Sequence, residues 1–265
     1  MIKKILMCSP DFFDIEYEIN PWMNKQNQVQ PDEAKKQWNM LYDVYQNKLG
    51  WDVQLISPVE KLPDMVFTAN GALVIKGKVA LPTFRAPDRQ PETEYFRKWF
   101  ENNGYTDFIE PKYDFEGEGD ALLWNDTLFA GYPWRSDQAS HKELEDFFGI
   151  KLVPIQLADA RFYHLDTCLT IVNESTVAVW TKAFTKESLD KIREIVPNVI
   201  EASDEDTLAY GLNAMSDGKN IVLSDKATGL IEKYREMGMN VYPVPISEYQ
   251  KSGGGVKCLT LELRS

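Results

Sequence analysis

The chain has 265 residues, 43% of them hydrophobic, enough to bury a sizeable core in one large domain or two small ones. It carries 41 acidic against 29 basic residues, a formal charge of −12, which repels phosphate backbones, argues against nucleic acid as a partner and attracts cations. No apolar run approaches the roughly 20 residues of a membrane span, and three cysteines with two histidines make neither an even disulfide set nor a histidine-rich metal site, a pattern that suits a reducing cytoplasm.

The start, residues 1–8, has an apolar stretch too short for a signal peptide, and residues 2–8 read as a first strand. Residues 32–49 set Trp38, Leu41, Tyr42, Tyr45 and Leu49 at helical spacing. From Asn70 onward one unit recurs: a polar residue, a short apolar strand, a tight turn and a second strand. Its copies begin at Asn70, Asp120, Asp166, Asn213 and Cys258, with steps of 50, 46, 47 and 45 residues. The turns are Gly77-Lys78, Asn125-Asp126, Asn173-Glu174-Ser175 and Asp217-Gly218-Lys219. Helical patterns fill the gaps at 92–103, 142–148, 186–196 and 226–237.

A beat of this length signals repeated modules. The last copy lacks a second strand and the first strand lacks a partner, so pairing them would close a ring and remove an edge. The expected fold is therefore α/β, five modules around an axis, as one catalytic domain over 1–265. Chance spacing of ordinary α/β units is the alternative. In a ring, the five leading residues occupy equivalent places and converge on a central cleft.

Cys258 follows three glycines, which permit close approach of a ligand. It is a candidate nucleophile, although a lone cysteine before a strand is more often a small buried apolar residue. His164 and Asp166 alternate onto one face, so the carboxylate favours the imidazolium and suits it to acid and base work. A hydrogen-bonded core histidine is the plainer reading, and His141 reads as a surface or capping residue. Glu116, Glu118 and Asp120 crowd into six residues beside an apolar strand, which is costly unless a cation compensates them. A bound guanidinium fits better than calcium, whose loops space their acids differently. Arg89 and Arg135 lie in loops and could grip a carboxylate.

Together the strings Ile19-Asn20-Pro21-Trp22-Met23, Val66-Phe67-Thr68-Ala69-Asn70, Phe115-Glu116-Gly117-Glu118-Gly119-Asp120, Tyr163-His164-Leu165-Asp166-Thr167-Cys168 and Gly254-Gly255-Val256-Lys257-Cys258 resemble the guanidino-group-modifying superfamily. The likeness is greatest to its arginine dihydrolase branch and runs from the first strand to the last. It implies a five-module pseudo-symmetric α/β propeller, the pentein fold. It also implies Cys258 as nucleophile, His164 as acid and base, and Glu116 as the third catalytic residue. Glu118 stands where the dihydrolases carry a small residue, so either glutamate could complete the triad. Asp166 would hold the guanidinium. Asn20, Arg89 and Arg135 match positions for the substrate's amino-acid end, and Phe67, Asn70, Asp120 and Glu118 complete the expected binding set. No cofactor and no metal are implied. The expected partner is a small molecule, arginine or a methylated arginine, and a homo-oligomer is compatible with the sequence. The implied reaction is hydrolysis of arginine to ornithine, two ammonia and carbon dioxide. Alternatives are dimethylarginine dimethylaminohydrolase, arginine deiminase giving citrulline, amidinotransferase, and a non-catalytic arginine binder.

Overall fold

Each recurring hairpin acquires a third strand. In the computed structural model, which describes residues 2–264, a helix follows each of the four hairpins and leads to a strand that pairs parallel to the hairpin's second strand. The second copy shows the plan: Ala121–Trp124 pairs antiparallel with Thr127–Tyr132, the helix Ser140–Phe148 crosses over, and Lys151–Gln156 returns parallel. Five such three-stranded sheets form: four begin at Leu73, Ala121, Leu169 and Met215, and the fifth joins the chain ends.

The fifth closes as the ring argument requires. Leu261–Glu262 pairs antiparallel with Lys4–Cys8, in the register Leu6 opposite Leu261, and Asp52–Ile56 adds parallel on the other side. Module five is thus assembled from both ends of the chain. The closure satisfies backbone groups that two free edges would expose.

The returning strands escape a pattern reading for a physical reason. Lys151–Gln156 and Asn240–Val244 are outer strands, half exposed, and each contains a proline. Their alternation is diluted and their β-propensity low. The inner strands are more deeply buried, and Leu73–Ile75 is buried throughout. The helix expected over 32–49 is α-helical over Pro31–Asp43 and then widens into one π-helical turn, Val44–Lys48, which seats Tyr45 against Trp51 and the Thr260 hydroxyl. His141 is not at the surface: it is 5% exposed, edge-on to Tyr132, and burial pulls its imidazole down to about 4.

Short 3₁₀ turns lead into the inner strands, at Thr68–Gly71, Gly117–Gly119 and Leu165–Thr167. They bring the polar positions of neighbouring modules into contact. Asp120 accepts the Leu165 N–H, Asn213 donates to the Asp166 carbonyl, and the Cys258 N–H donates to the Asn213 side chain. The repeat thereby becomes a belt of hydrogen bonds around the axis. No helix among the described residues is long and apolar enough to cross a membrane.

Candidate active site

Cys258 lies on the turn entering the last inner strand, 3% exposed. Its thiol faces Asp166 Oδ2 at 3.4 Å, and Asn213 Nδ2 donates to the sulfur at 3.1 Å. Burial pushes the thiol well above its ordinary range, and the Asp166 charge adds to that. Asp166 is itself raised to about 7 by burial, against the opposing pull of Lys257. Its Oδ1 is buried with no hydrogen-bond partner among the described residues. A cation with N–H donors would satisfy that oxygen and ease formation of the thiolate beside it.

His164, two residues before Asp166, hydrogen-bonds through Nε2 to Glu116 Oε2 at 2.7 Å. Arg135 Nη1 donates to the same oxygen at 2.9 Å. Burial alone would raise Glu116; Arg135 and His164 outweigh it and hold the carboxyl at about 2. Glu116 is thus a fixed anion behind the imidazole. Gly119 permits the approach of the modules here: a Cβ on it would lie 2.3 Å from Asn70 Nδ2 and 3.2 Å from the His164 ring.

A narrow cleft of only about 10 Å³ lies beside Cys258. Its walls include Asn20, Phe67, Asn70, Arg89 and Arg135 from the expected set. Arg89 grips Glu92 with two hydrogen bonds of 2.8 Å and donates a third of 2.8 Å to Asn70 Oδ1. The last bond fixes the amide and leaves Nδ2 as the donor of Asn70. Arg135 also donates to the Ile19 carbonyl and lies over the Tyr163 ring. Asn20 donates to the Ser252 carbonyl, tying the 19–23 segment to the glycine loop.

Two expected ligands lie elsewhere. Glu118 turns away from the cleft and is held by Lys257 at 2.5 Å, by Arg264 and by the Glu262 N–H. Asp120 is taken up by the Ser136 hydroxyl at 2.7 Å and the Leu165 N–H. The buried acids do need cations, but the protein supplies them: Arg135 for Glu116, Lys257 and Arg264 for Glu118. Pairings across more than 100 residues of chain, such as Lys257 to Glu118, leave no local pattern. Between the two glutamates, Glu116 alone bonds the imidazole.

Asp64, Tyr163 and Asn213 are further polar groups at the site. Asp64 lines the cleft, 1% exposed, and accepts from the Tyr17 hydroxyl at 3.0 Å. Tyr163 donates to the Gly253 carbonyl at 2.7 Å. Asn213 was signalled by the beat of the repeat, as the fourth leading residue.

A five-module α/β propeller whose axis holds a thiol, an imidazole and buried carboxylates defines the guanidino-group-modifying class of enzymes. Residues 13–265 match the family model described as N,N dimethylarginine dimethylhydrolase, eukaryotic, and the chain belongs to this family. It is 37% identical to the N(G),N(G)-dimethylarginine dimethylaminohydrolase of Mycobacterium tuberculosis, over 98% of this chain and 86% of that protein. It is 36% identical to the bifunctional arginine dihydrolase/ornithine cyclodeaminase AgrE of Nostoc sp., over 98% of this chain but only 38% of that protein's length. The crystal structure of the N-terminal domain of ArgZ, an arginine dihydrolase from the ornithine-ammonia cycle in cyanobacteria, bound to product, superposes with a TM-score of 0.95 at 36% identity, covering 100% of this chain and 98% of that one. A variant of that domain is covalently bound to a reaction intermediate.

Proposed function

We propose that residues 1–265 form one catalytic domain that hydrolyses the guanidinium group of arginine through a covalent adduct on Cys258, yielding ornithine, two ammonia and carbon dioxide. The observation that carries this reading is the Cys258–Asp166 pair, with Asp166 Oδ1 buried beside the thiol and unpartnered among the described residues. Such an oxygen suits the N–H edge of a planar cation, and a guanidinium bound there sets its carbon beside the sulfur. Ordering the two reactants makes the attack effectively unimolecular.

The cation's charge offsets that of Asp166 and lets the thiol ionise, its proton passing to neutral His164. The sulfur bonds to the guanidinium carbon, and His164, as imidazolium steadied by Glu116, protonates the departing ammonia. Neutral His164 then draws a proton from water, which attacks the adduct, expels the sulfur and gives the ureido product. Arg89 and Arg135 bind the substrate carboxylate, and Asn20 and Phe67 shape the amino-acid end. Asp64 is a buried carboxyl at that end, raised by its burial, and the arrival of an α-ammonium would favour its charged form. Glu118 and Asp120 support the site from behind.

Asn70 directs the outcome. With Oδ1 held by Arg89, its Nδ2 donates, which suits a ureido oxygen more than a guanidinium N–H. The ureido group is retained, and a second round of attack by Cys258 and water releases the second ammonia and carbon dioxide. The likeness to AgrE and ArgZ supports this reading. The matching family model and the mycobacterial relative favour a second one, in which the same thiol displaces dimethylamine from methylated arginine.

Acid-quenched turnover followed by intact-mass analysis tests the shared step. The expected species is protein plus arginine less ammonia, mapped to Cys258 and absent in Cys258→Ser. Full turnover in Cys258→Ser would overturn the nucleophile assignment.

A further inference from the structure

We propose that Asn213 is a positioning residue for the nucleophile: its carboxamide fixes the Cys258 sulfur and donates the hydrogen bond that stabilises the thiolate. The proposal rests on Cys258 being the nucleophile. Asn213 is fully buried and sits where module four meets module five. Its Oδ1 accepts the Cys258 N–H at 3.0 Å. Its Nδ2 donates to the Asp166 carbonyl at 3.0 Å and lies 3.1 Å from Cys258 Sγ.

These partners remove the ambiguity of an amide. A backbone N–H can only donate and a backbone carbonyl can only accept, so the carboxamide has one permitted orientation. One of its two N–H bonds is committed to Asp166 and the other is aimed at the sulfur. Gly255 keeps the space open, because a Cβ there would meet Asn213 Oδ1 at 2.8 Å.

The two neighbours of the sulfur have opposite effects. Asp166 accepts the thiol proton in the resting state, but it repels a thiolate. Asn213 has no charge, so its N–H stabilises the thiolate without competing with an arriving guanidinium for Asp166. A lysine in its place would pair with Asp166 and block that role. Asn213 is therefore suited to a site in which substrate charge triggers ionisation.

The test compares Asn213→Asp and Asn213→Ala with the wild-type chain, using Cys258→Ser as the blank. The rate of iodoacetamide alkylation at Cys258 is followed against pH by mass spectrometry, alongside kcat and KM on arginine and thermal melting. Asn213→Asp keeps an acceptor for the Cys258 N–H but presents a second acid to the sulfur. The alkylation midpoint is expected to rise by about one pH unit or more in both variants, and further in Asn213→Asp. The rise should accompany a kcat loss of tenfold or more and a KM within about threefold. A purely structural staple would lower melting and turnover without moving the midpoint; that result in folded Asn213→Asp overturns the proposal, and this variant decides if Asn213→Ala does not fold. If alkylating wild-type Cys258 leaves turnover intact, the nucleophile assignment has failed instead.

Discussion

Replacing Glu116 by glutamine removes one charge from the centre of the site and keeps its shape. Glu116 is fully buried and bonds both Arg135 and His164. Loss of the anion strands the Arg135 guanidinium, and breaking a buried pair in this way costs about 3–5 kcal/mol. Arg135 keeps the Ile19 carbonyl at 3.0 Å and the Tyr163 ring at 4.7 Å, so the lower end applies. At roughly 2–4 °C per kcal/mol for a chain of this size, a loss of about 3 kcal/mol lowers the melting temperature by roughly 6–12 °C. The imidazole loses its anionic partner, and turnover should fall by about 10²–10⁴-fold, the usual share of general acid–base catalysis. Calorimetric melting and steady-state ammonia release measure the two effects. The double variant Glu116→Gln, Arg135→Met removes the stranded charge and should recover at least half of the lost stability with no recovery of turnover. A single variant that melts within about 2 °C of wild type and keeps more than a tenth of its turnover would refute the buried-triad reasoning.

Glu118→Gln strands Lys257 and Arg264 and should cost a few kcal/mol of stability while KM for arginine stays within about threefold; a tenfold rise in KM at unchanged melting would return Glu118 to the substrate pocket. Gly254→Ala places a Cβ 2.1 Å from the ring of Phe67, a wall of the cleft, which must shift. Overpacking of this kind costs about 1–3 kcal/mol, so the chain should fold with a raised KM, and an unchanged KM contradicts the role of Phe67 as a wall. Asp120 and Asp166 have folded-state values raised to about 6 and about 7. The folded state therefore binds protons more tightly than the unfolded state, and stability should decline as pH rises from about 4 to about 7. Glu116, depressed to about 2, stabilises above the ordinary carboxylate range and loses that contribution only in stronger acid, outside this window. A melting temperature that climbs steadily from pH 4.5 to 7.5 would contradict the assignment.

The architecture was legible because a short, largely apolar strand recurs five times just after a polar residue, as at Asp166 and Cys258. That rhythm is a local property and survives in one sequence. The counter-ions were not legible. Nothing near Glu118 announces Lys257 or Arg264, so its burial suggested a ligand cation where the protein supplies its own. The outer strands were hidden by exposure and by residues such as Pro154 and Pro243. His141 seemed polar from its neighbours Ser140 and Lys142, yet the helix turns it onto Tyr132. Asn213 was placed in the ring by the repeat, and only the contact with the Cys258 sulfur gave it chemical meaning.

The most direct measurement is the stoichiometry of arginine consumption by the purified chain, with ornithine, citrulline, ammonia and methylamines assayed together. Two ammonia and one ornithine per arginine, without accumulating citrulline, is the result expected of a thiol site whose Asn70 retains the ureido group. Citrulline and ammonia in equal amounts, or dimethylamine from methylated arginine with no reaction on arginine itself, would contradict it.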